Sequence, residues 1–135
     1  MNISEEGKSL IKKFEGCKLE AYLDAVNVPT IAYGRTKNVK MGDVCTQEQA
    51  EEWLDEELHE YEGYVKDQVN VNLEQYQFDA LVSWVYNLGP TNLSKSTLLK
   101  VLNDGKYNDV PAQIRRWNKA GGNVLEGLTR RREAE

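Results

Sequence analysis

The sequence predicts an α+β fold that is mostly α, with one small N-terminal β-hairpin and helices after it. Three observations carry this. Apolar residues recur at helical spacing along most of the chain, as at Gly7, Leu10, Ile11 and Phe14 and again at Ala50, Trp53, Leu54, Leu58, Tyr61 and Val65. Only the stretch from Phe14 to Thr36 breaks that rhythm: the run with Tyr22 and Leu23 and the run Thr30-Ile31-Ala32-Tyr33-Gly34 read as strands, separated by the turn-prone Asn27 and Pro29. Finally, 135 residues with 40% hydrophobic content suffice for one domain with a core and leave no room for a second.

The first helix starts at Ser4, a suitable N-cap, with Glu5 and Glu6 in the first turn where they oppose the helix dipole. Its apolar stripe faces inward and Lys8, Lys12 and Lys13 face water; Gly16 ends it just after Glu15. After the hairpin, Lys37, Asn38, Lys40, Gly42 and Asp43 read as loop. Thr46 with Gln49 forms a capping box for a helix of about four to five turns. Its opposite face, Glu51, Glu52, Asp55, Glu56, Glu60 and Glu62, reads as solvated, with His59 a surface residue among acids.

Asn72 and Gln75 suggest another capping box, opening a helix from Tyr76 to Leu88 so apolar that it is expected to be buried nearly all round and to end at Gly89-Pro90. Ser94 is a candidate cap for a short helix with Leu98, Leu99, Val101 and Leu102, ending near Asn103-Asp104-Gly105. Asp109 is a candidate cap for the next, with Pro111 in its first turn and Ile114 and Trp117 inward. Gly121 and Gly122 then mark a tight bend, and Arg130, Arg131 and Arg132 start a last helix.

Composition narrows the function classes. A net charge of -5 argues against a nucleic-acid partner, which calls for a basic face. Charge is uneven, with Lys12, Lys13 and Lys18 near one end, Arg115, Arg116 and Arg130 to Arg132 near the other, and an acidic middle from Glu48 to Glu62. No apolar run approaches membrane-spanning length, and Met1-Asn2-Ile3-Ser4-Glu5-Glu6 has neither the basic region nor the apolar core of a signal peptide. Synthesis in the cytoplasm without membrane insertion is the expectation. Cys17 and Cys45 lack nearby histidines, so a zinc site is not expected; a disulfide and two unlinked core thiols both fit the sequence.

The chemistry is concentrated in the hairpin segment. Glu15 stands at the negative end of a helix dipole beside Phe14 and Leu19, surroundings that disfavour its charged form and suit a proton donor. Asp24, in the turn region, is expected to be wetter and ionised, with the Thr30 hydroxyl nearby. One carboxyl that protonates a leaving oxygen and one that activates water or attacks the sugar are what glycosidic hydrolysis needs. An acid at a helix end and another in a turn are also common as plain solvated groups.

Order and spacing add weight. Glu15-Gly16, Tyr22-Leu23-Asp24 and Thr30-Ile31-Ala32-Tyr33-Gly34-Arg35-Thr36 closely resemble the signature of the phage-type lysozymes, glycoside hydrolases with Glu-Gly, Tyr-x-Asp and Thr-Ile-Gly-Tyr-Gly-His-Thr. The run Phe78 to Gly89, with its Tyr-Asn-Leu-Gly ending, resembles that family's central helix. Trp117 to Gly122 and Gly127 to Glu133 resemble its closing segment. Two positions depart: Ala32 replaces glycine, a change expected to test local packing alone, and Arg35 puts a fixed charge where histidine is frequent.

The resemblance implies a single lysozyme-like domain over residues 1–135, folded in two lobes. The N-terminal lobe would span about 14–48 with the hairpin, the linking helix about 46–69, and the helical lobe about 72–135 plus helix 4–15. It implies hydrolysis of the β-1,4 bond between N-acetylmuramic acid and N-acetylglucosamine in bacterial peptidoglycan, with inversion, without a cofactor or metal, and leading to host cell lysis. Glu15 would be the general acid, Asp24 would activate or steer water, and Thr30 would hold it. Tyr33, Arg35, Tyr86, Ser96 and Thr97 are candidate substrate contacts; for Tyr86 core packing is an equal reading, and for Ser96 and Thr97 capping is the simpler one. A C-terminal arginine would approach Glu15 across the cleft. The partner would be the glycan strand, the enzyme a monomer, and a separate membrane-permeabilising protein would open the way to the wall. Alternatives are a non-catalytic peptidoglycan-binding protein on the same fold, a helical interaction protein without sugar function, and a lytic transglycosylase.

Overall fold

A computed structural model of the chain describes residues 1–24, 26–120, 123–124 and 126–135. The elements are α1 (Glu5–Glu15), β1 (Lys18–Leu23), β2 (Pro29–Ala32), α2 (Gln47–Gln68), α3 (Gln75–Leu88), α4 (Pro90–Ser94) and α5 (Thr97–Asn103), then α6 (Val110–Arg115), β3 (Lys119–Ala120), β4 (Asn123–Val124) and α7 (Glu126–Ala134). A single 3-10 turn, Tyr107–Asp109, leads into α6. The expected mostly helical fold with a small N-terminal hairpin is what the chain adopts; the second, two-residue antiparallel pair of β3 with β4 was not expected. Among the described residues no helix is long and apolar enough to cross a membrane.

The apolar run from Phe78 to Val85 makes α3 the centre of the core, buried at every position of that span. Trp84, Val82 and Val85 are fully enclosed, and Ile11 of α1, Leu54 and Leu58 of α2, and Leu93, Leu98 and Leu102 pack into the same cluster. Each such side chain contributes about 1.5 to 3 kcal/mol by leaving water. Since α1, α2 and α7 also meet here, the elements that carry the site are anchored on one buried helix.

The N-terminus of α1 is fixed twice. Ser4 Oγ accepts from the Gly7 amide at 3.1 Å, as a cap should, and the Ser4 amide donates to Asp79 Oδ1 of α3 at 3.0 Å. Gly7 permits this approach, because a Cβ there would lie 2.7 Å from Asp79 Cγ. Lys8 and Lys12 do not face water as expected; they pair with Asp55 at 3.1 Å and Glu51 at 2.6 Å on α2. The acidic face of α2 is correspondingly less solvated than its charge suggests. Glu62 is buried, accepts from the Ile3 amide at 2.5 Å, and lies one turn beyond Leu58 on the apolar side.

Thr46 caps α2 as expected, accepting from the Gln49 amide at 3.0 Å. For α3 the cap is Glu74 with Gln77, one of several possible S/T/N/D/E-x-x-Q registers, and not Asn72 with Gln75. Ser94 ends α4, and Ser96 caps α5. Asp109 precedes α6 with Pro111 in its first turn, but its side chain makes no capping bond. The end of the loop before α2 joins the sheet: the Ala21 amide donates to Asp43 O, the Cys45 amide to Leu19 O, and Glu20 bridges Val44. The bend expected at Gly121 and Gly122 lies outside the described residues.

The second strand stops at Ala32 instead of running to Gly34. Ala32 has φ +57 and Gly34 φ +83, and the chain folds back so that Ile31 and Arg35 exchange both backbone hydrogen bonds at 2.9 Å. Alanine at position 32 therefore does more than test packing, since a left-handed backbone costs a residue with a Cβ about 1 to 2 kcal/mol. This tight return directs Tyr33, Gly34 and Arg35 toward α1, α2 and α3.

Candidate active site

Glu15 is the last residue of α1, and the Gly16 amide closes the helix by donating to Lys12 O at 2.9 Å. Its side chain is 17% exposed. Arg131 of α7 donates through Nη1 to Glu15 Oε1 at 2.5 Å and through Nη2 to Ser83 O at 3.1 Å. The arginine expected to approach Glu15 is thus Arg131, and it is itself buried. On the other side, Gly34 presses on Glu15 so closely that a Cβ there would overlap Oε2. Oε1 is committed to Arg131, and Oε2 is the oxygen beside the turn.

Two concavities meet at Glu15. One, of about 500 Å³, is lined by Glu15, Gly34, Thr36, Glu57, Tyr61 and Tyr86 among others. The other, of about 600 Å³, includes Phe14, Glu15, Asn87, Leu128, Arg130 and Arg131. Glu15 and Asn87 line both, so the acid stands where the two concavities adjoin.

Asp24 forms an Asx-type turn: Oδ1 accepts from the amides of Val26 and Val28, each at 2.9 Å. Its other carboxyl oxygen has no protein partner among the described residues. Thr30 is buried and donates its hydroxyl to Val28 O at 2.8 Å. With its proton committed there, Thr30 Oγ1 is left as an acceptor. Both acids lie within electrostatic reach of Tyr22, whose phenol is pushed up by burial and then by the charges of Glu15 and Asp24.

The candidate substrate contacts separate. Arg35 stacks on Trp53, 4.6 Å from the ring centre, and its Nη1 lies 3.4 Å from Glu57 Oε1. Tyr86 lines the cleft, yet its hydroxyl donates to Tyr33 O at 2.5 Å and sits 3.1 Å from Glu57 Oε2. Tyr33 is buried; its hydroxyl donates to Glu51 at 2.7 Å and accepts from Gln47 at 3.0 Å, so it braces the turn from behind. Burial, with Glu51, pushes that phenol up to about 12. Ser96 is occupied in both directions by Leu93 O and the Leu99 amide. Thr97 is exposed in a different groove, with Lys95, Gln113, Arg116, Trp117 and Lys119.

Glu57 and Asn87 were not singled out by the sequence reading. The signal for Glu57 was present: it lies four residues from both Trp53 and Tyr61, at the edge of the apolar stripe of α2. Among the described residues no group of three or more His, Cys, Asp or Glu side chains is placed to hold a metal ion. Cys17 and Cys45 are free thiols.

Comparison with known proteins gives the family. The phage lysozyme family model matches residues 12–135. The chain is 45% identical to the endolysin of Acyrthosiphon pisum secondary endosymbiont phage 1, over all of this chain and 95% of that one. Among solved structures, an endolysin from Escherichia coli O157:H7 phage FAHEc1 superposes with a TM-score of 0.89 at 38% identity, covering 98% of this chain and 89% of that one. The muramidase domain of SpmX from Asticaccaulis excentricus superposes with a TM-score of 0.91 at 33% identity, covering 98% of this chain and 93% of that one. The family-model match and the similarity along the whole chain show that the chain belongs to the phage lysozyme family.

Proposed function

We propose that the chain is a peptidoglycan-cleaving endolysin that hydrolyses the β-1,4 bond between N-acetylmuramic acid and N-acetylglucosamine. The observation that carries this is Glu15, largely enclosed where two concavities adjoin, with one oxygen held by Arg131 and the other left beside Gly34. Glu15 Oε2 carries the proton and gives it to the leaving glycosidic oxygen. Asp24, through the oxygen not bound by the turn, accepts a proton from water, while that water donates its second hydrogen to Thr30 Oγ1. The arrangement leaves a lone pair of the water for the anomeric carbon and predicts inversion, for which carboxyl groups about 6.5 to 9.5 Å apart leave room. No step calls on a cofactor.

Finer features belong to the same reading. The enzyme acts as a monomer, with the hairpin and the helical part as two lobes across the glycan strand. It is made in the host cytoplasm and reaches the wall after a separate protein permeabilises the membrane. Tyr86 and Arg35 shape the recess, and Thr97 contacts substrate in the second groove.

Clearing of purified peptidoglycan by the wild-type chain and not by Glu15→Gln is the direct test. Product analysis completes it: reducing muramic ends with inverted configuration are expected, and anhydro sugars would point to a lytic transglycosylase instead. Glycan binding without products would show a non-catalytic relative.

A further inference from the structure

The cleft beside Glu15 contains a second carboxyl, Glu57, for which the reaction above has no use. Its side chain is 17% exposed. The two oxygens face different groups: Oε1 faces the Arg35 guanidinium at 3.4 Å, and Oε2 faces the Tyr86 hydroxyl at 3.1 Å. That hydroxyl is also 2.5 Å from the Tyr33 carbonyl.

Counting protons decides the direction of this chain of contacts. Tyr86 has one phenolic proton, and the Tyr33 carbonyl has none to offer. The shorter contact must hold the phenolic proton, because two oxygens at that separation without a hydrogen between them repel. The longer contact, between Tyr86 and Glu57, is then a hydrogen bond only if Glu57 supplies the proton. Oε2 is the oxygen suited to carry it, since Oε1 is the one facing the Arg35 cation. The Tyr33 carbonyl belongs to the same peptide unit as the amide of Gly34, the residue whose Cα is packed on Glu15 Oε2.

We propose that Glu57 is a positioning acid: its protonated Oε2 donates to Tyr86, Tyr86 donates to the Tyr33 carbonyl, and the Gly34 peptide is thereby held against Glu15. This rests on the reading of Glu15 as the general acid. Burial, which pushes Glu57 above the usual carboxylate value of 4.5, favours the protonated form. The groups facing Glu57 are Arg35 from the turn, Tyr86 from α3, Glu15 from α1, and Glu60 and Tyr61 from its own helix, with Lys37 on the rim. Glu60 and Glu15 act in the same direction as burial, while any donation from the Tyr86 hydroxyl and the charge of Arg35 act against it. When Glu57 loses its proton to solvent, its carboxylate and the Tyr86 oxygen, which keeps its proton on the Tyr33 carbonyl, repel across the 3.1 Å contact and the support of the turn is lost, so turnover declines as pH rises.

Carboxyl-detected NMR titration of Glu57 in the wild type and in Tyr86→Phe tests the direction of the relay without reference to catalysis. A Glu57 that donates to Tyr86 loses a stabilising acceptor in Tyr86→Phe, and its midpoint falls by about one pH unit or less, a hydrogen bond's worth. A midpoint that rises in Tyr86→Phe, or a wild-type midpoint at or below 4.5, overturns the proposal. In the pH profile of kcat, Glu57→Gln keeps an N–H donor for Tyr86 and no longer titrates. The alkaline decline with the Glu57 midpoint is expected to disappear in that variant, with kcat changed more than KM; a profile that superposes on the wild type overturns the proposal. Retained wall clearing by Glu15→Gln overturns the reading of Glu15 and is told apart from failure of the relay, which appears in the NMR midpoints. Thermal melting of each variant confirms folding.

Discussion

Replacing Gly34 with alanine separates the cost of folding from the cost to the reaction. Gly34 has φ +83, so any Cβ there incurs the left-handed penalty of about 1 to 2 kcal/mol. For a chain of this length an unfolding entropy of about 2.1 cal/mol/K per residue makes 1 kcal/mol worth about 4 °C, so Tm is expected to fall by about 4 to 8 °C. The added methyl also overlaps Glu15 Oε2 and comes within 3.3 Å of its Cδ. A flexible carboxyl can swing aside at little cost in stability, but only by leaving the position in which Arg131 holds Oε1. Misplacing a reacting group by about 1 Å costs on the order of 100-fold in rate. Gly105→Ala is the control, with φ +78 and nothing within 4 Å of the new Cβ: the same strain, a similar fall in Tm, and wild-type turnover. Wall-clearing rates measured at 20 °C or so below Tm, alongside scanning calorimetry, give both quantities. If Gly34→Ala keeps turnover within about threefold of wild type while Tm falls as expected, the contact does not position the acid and the reasoning fails.

Other expectations follow from the same geometry. Arg131→Met leaves Glu15 without its partner and is expected to cost about 3 kcal/mol in urea unfolding, since removing one member of a buried pair strands the other. Ser4→Ala removes the α1 cap and the hydrogen bond that the Ser4 hydroxyl donates to Asp79 Oδ2, keeping the amide bond to Asp79 Oδ1, and is expected to cost about 1 to 2 kcal/mol, read as a lower urea midpoint. Leu58→Ala, in the fully packed face of α2, is expected to cost about 2 to 5 kcal/mol by the same measurement. The Tyr33 phenol, raised from 10.0 to about 12 in the fold, is protonated more tightly folded than unfolded. Its contribution to stability is therefore intact below pH 10.0 and is lost as pH rises toward about 12, so unfolding free energy in wild type is expected to fall over that window more steeply than in Tyr33→Phe.

What could be read from the sequence was what short-range physics decides. The Ser4 and Thr46 caps, the burial of α3 and its stop at Gly89 each depend on residues within a turn or two of one another, and the structure has them. Glu15 at a helix end and Asp24 in a turn were legible for the same reason. The cap of α3 was misplaced because several polar residues precede Gln75, and only packing selects Glu74. Long-range pairing was less visible: the face of α2 that reads as solvated meets the lysines of α1, and Glu62 turns inward to the Ile3 amide. Glu57 had a signal in its helical spacing from Trp53 and Tyr61, but nothing nearby in the chain announces Tyr86 and Arg35, its neighbours in space. The left-handed Ala32 was equally silent, since a residue with a Cβ gives no hint of positive φ.

The bond between Glu15 and Arg131 joins positions 116 apart in the chain. A ribosome making this protein therefore delivers the acid early and its holding cation late. The pair can close only after nearly the whole chain has been made, so the two ends of the fold are joined last at the acid.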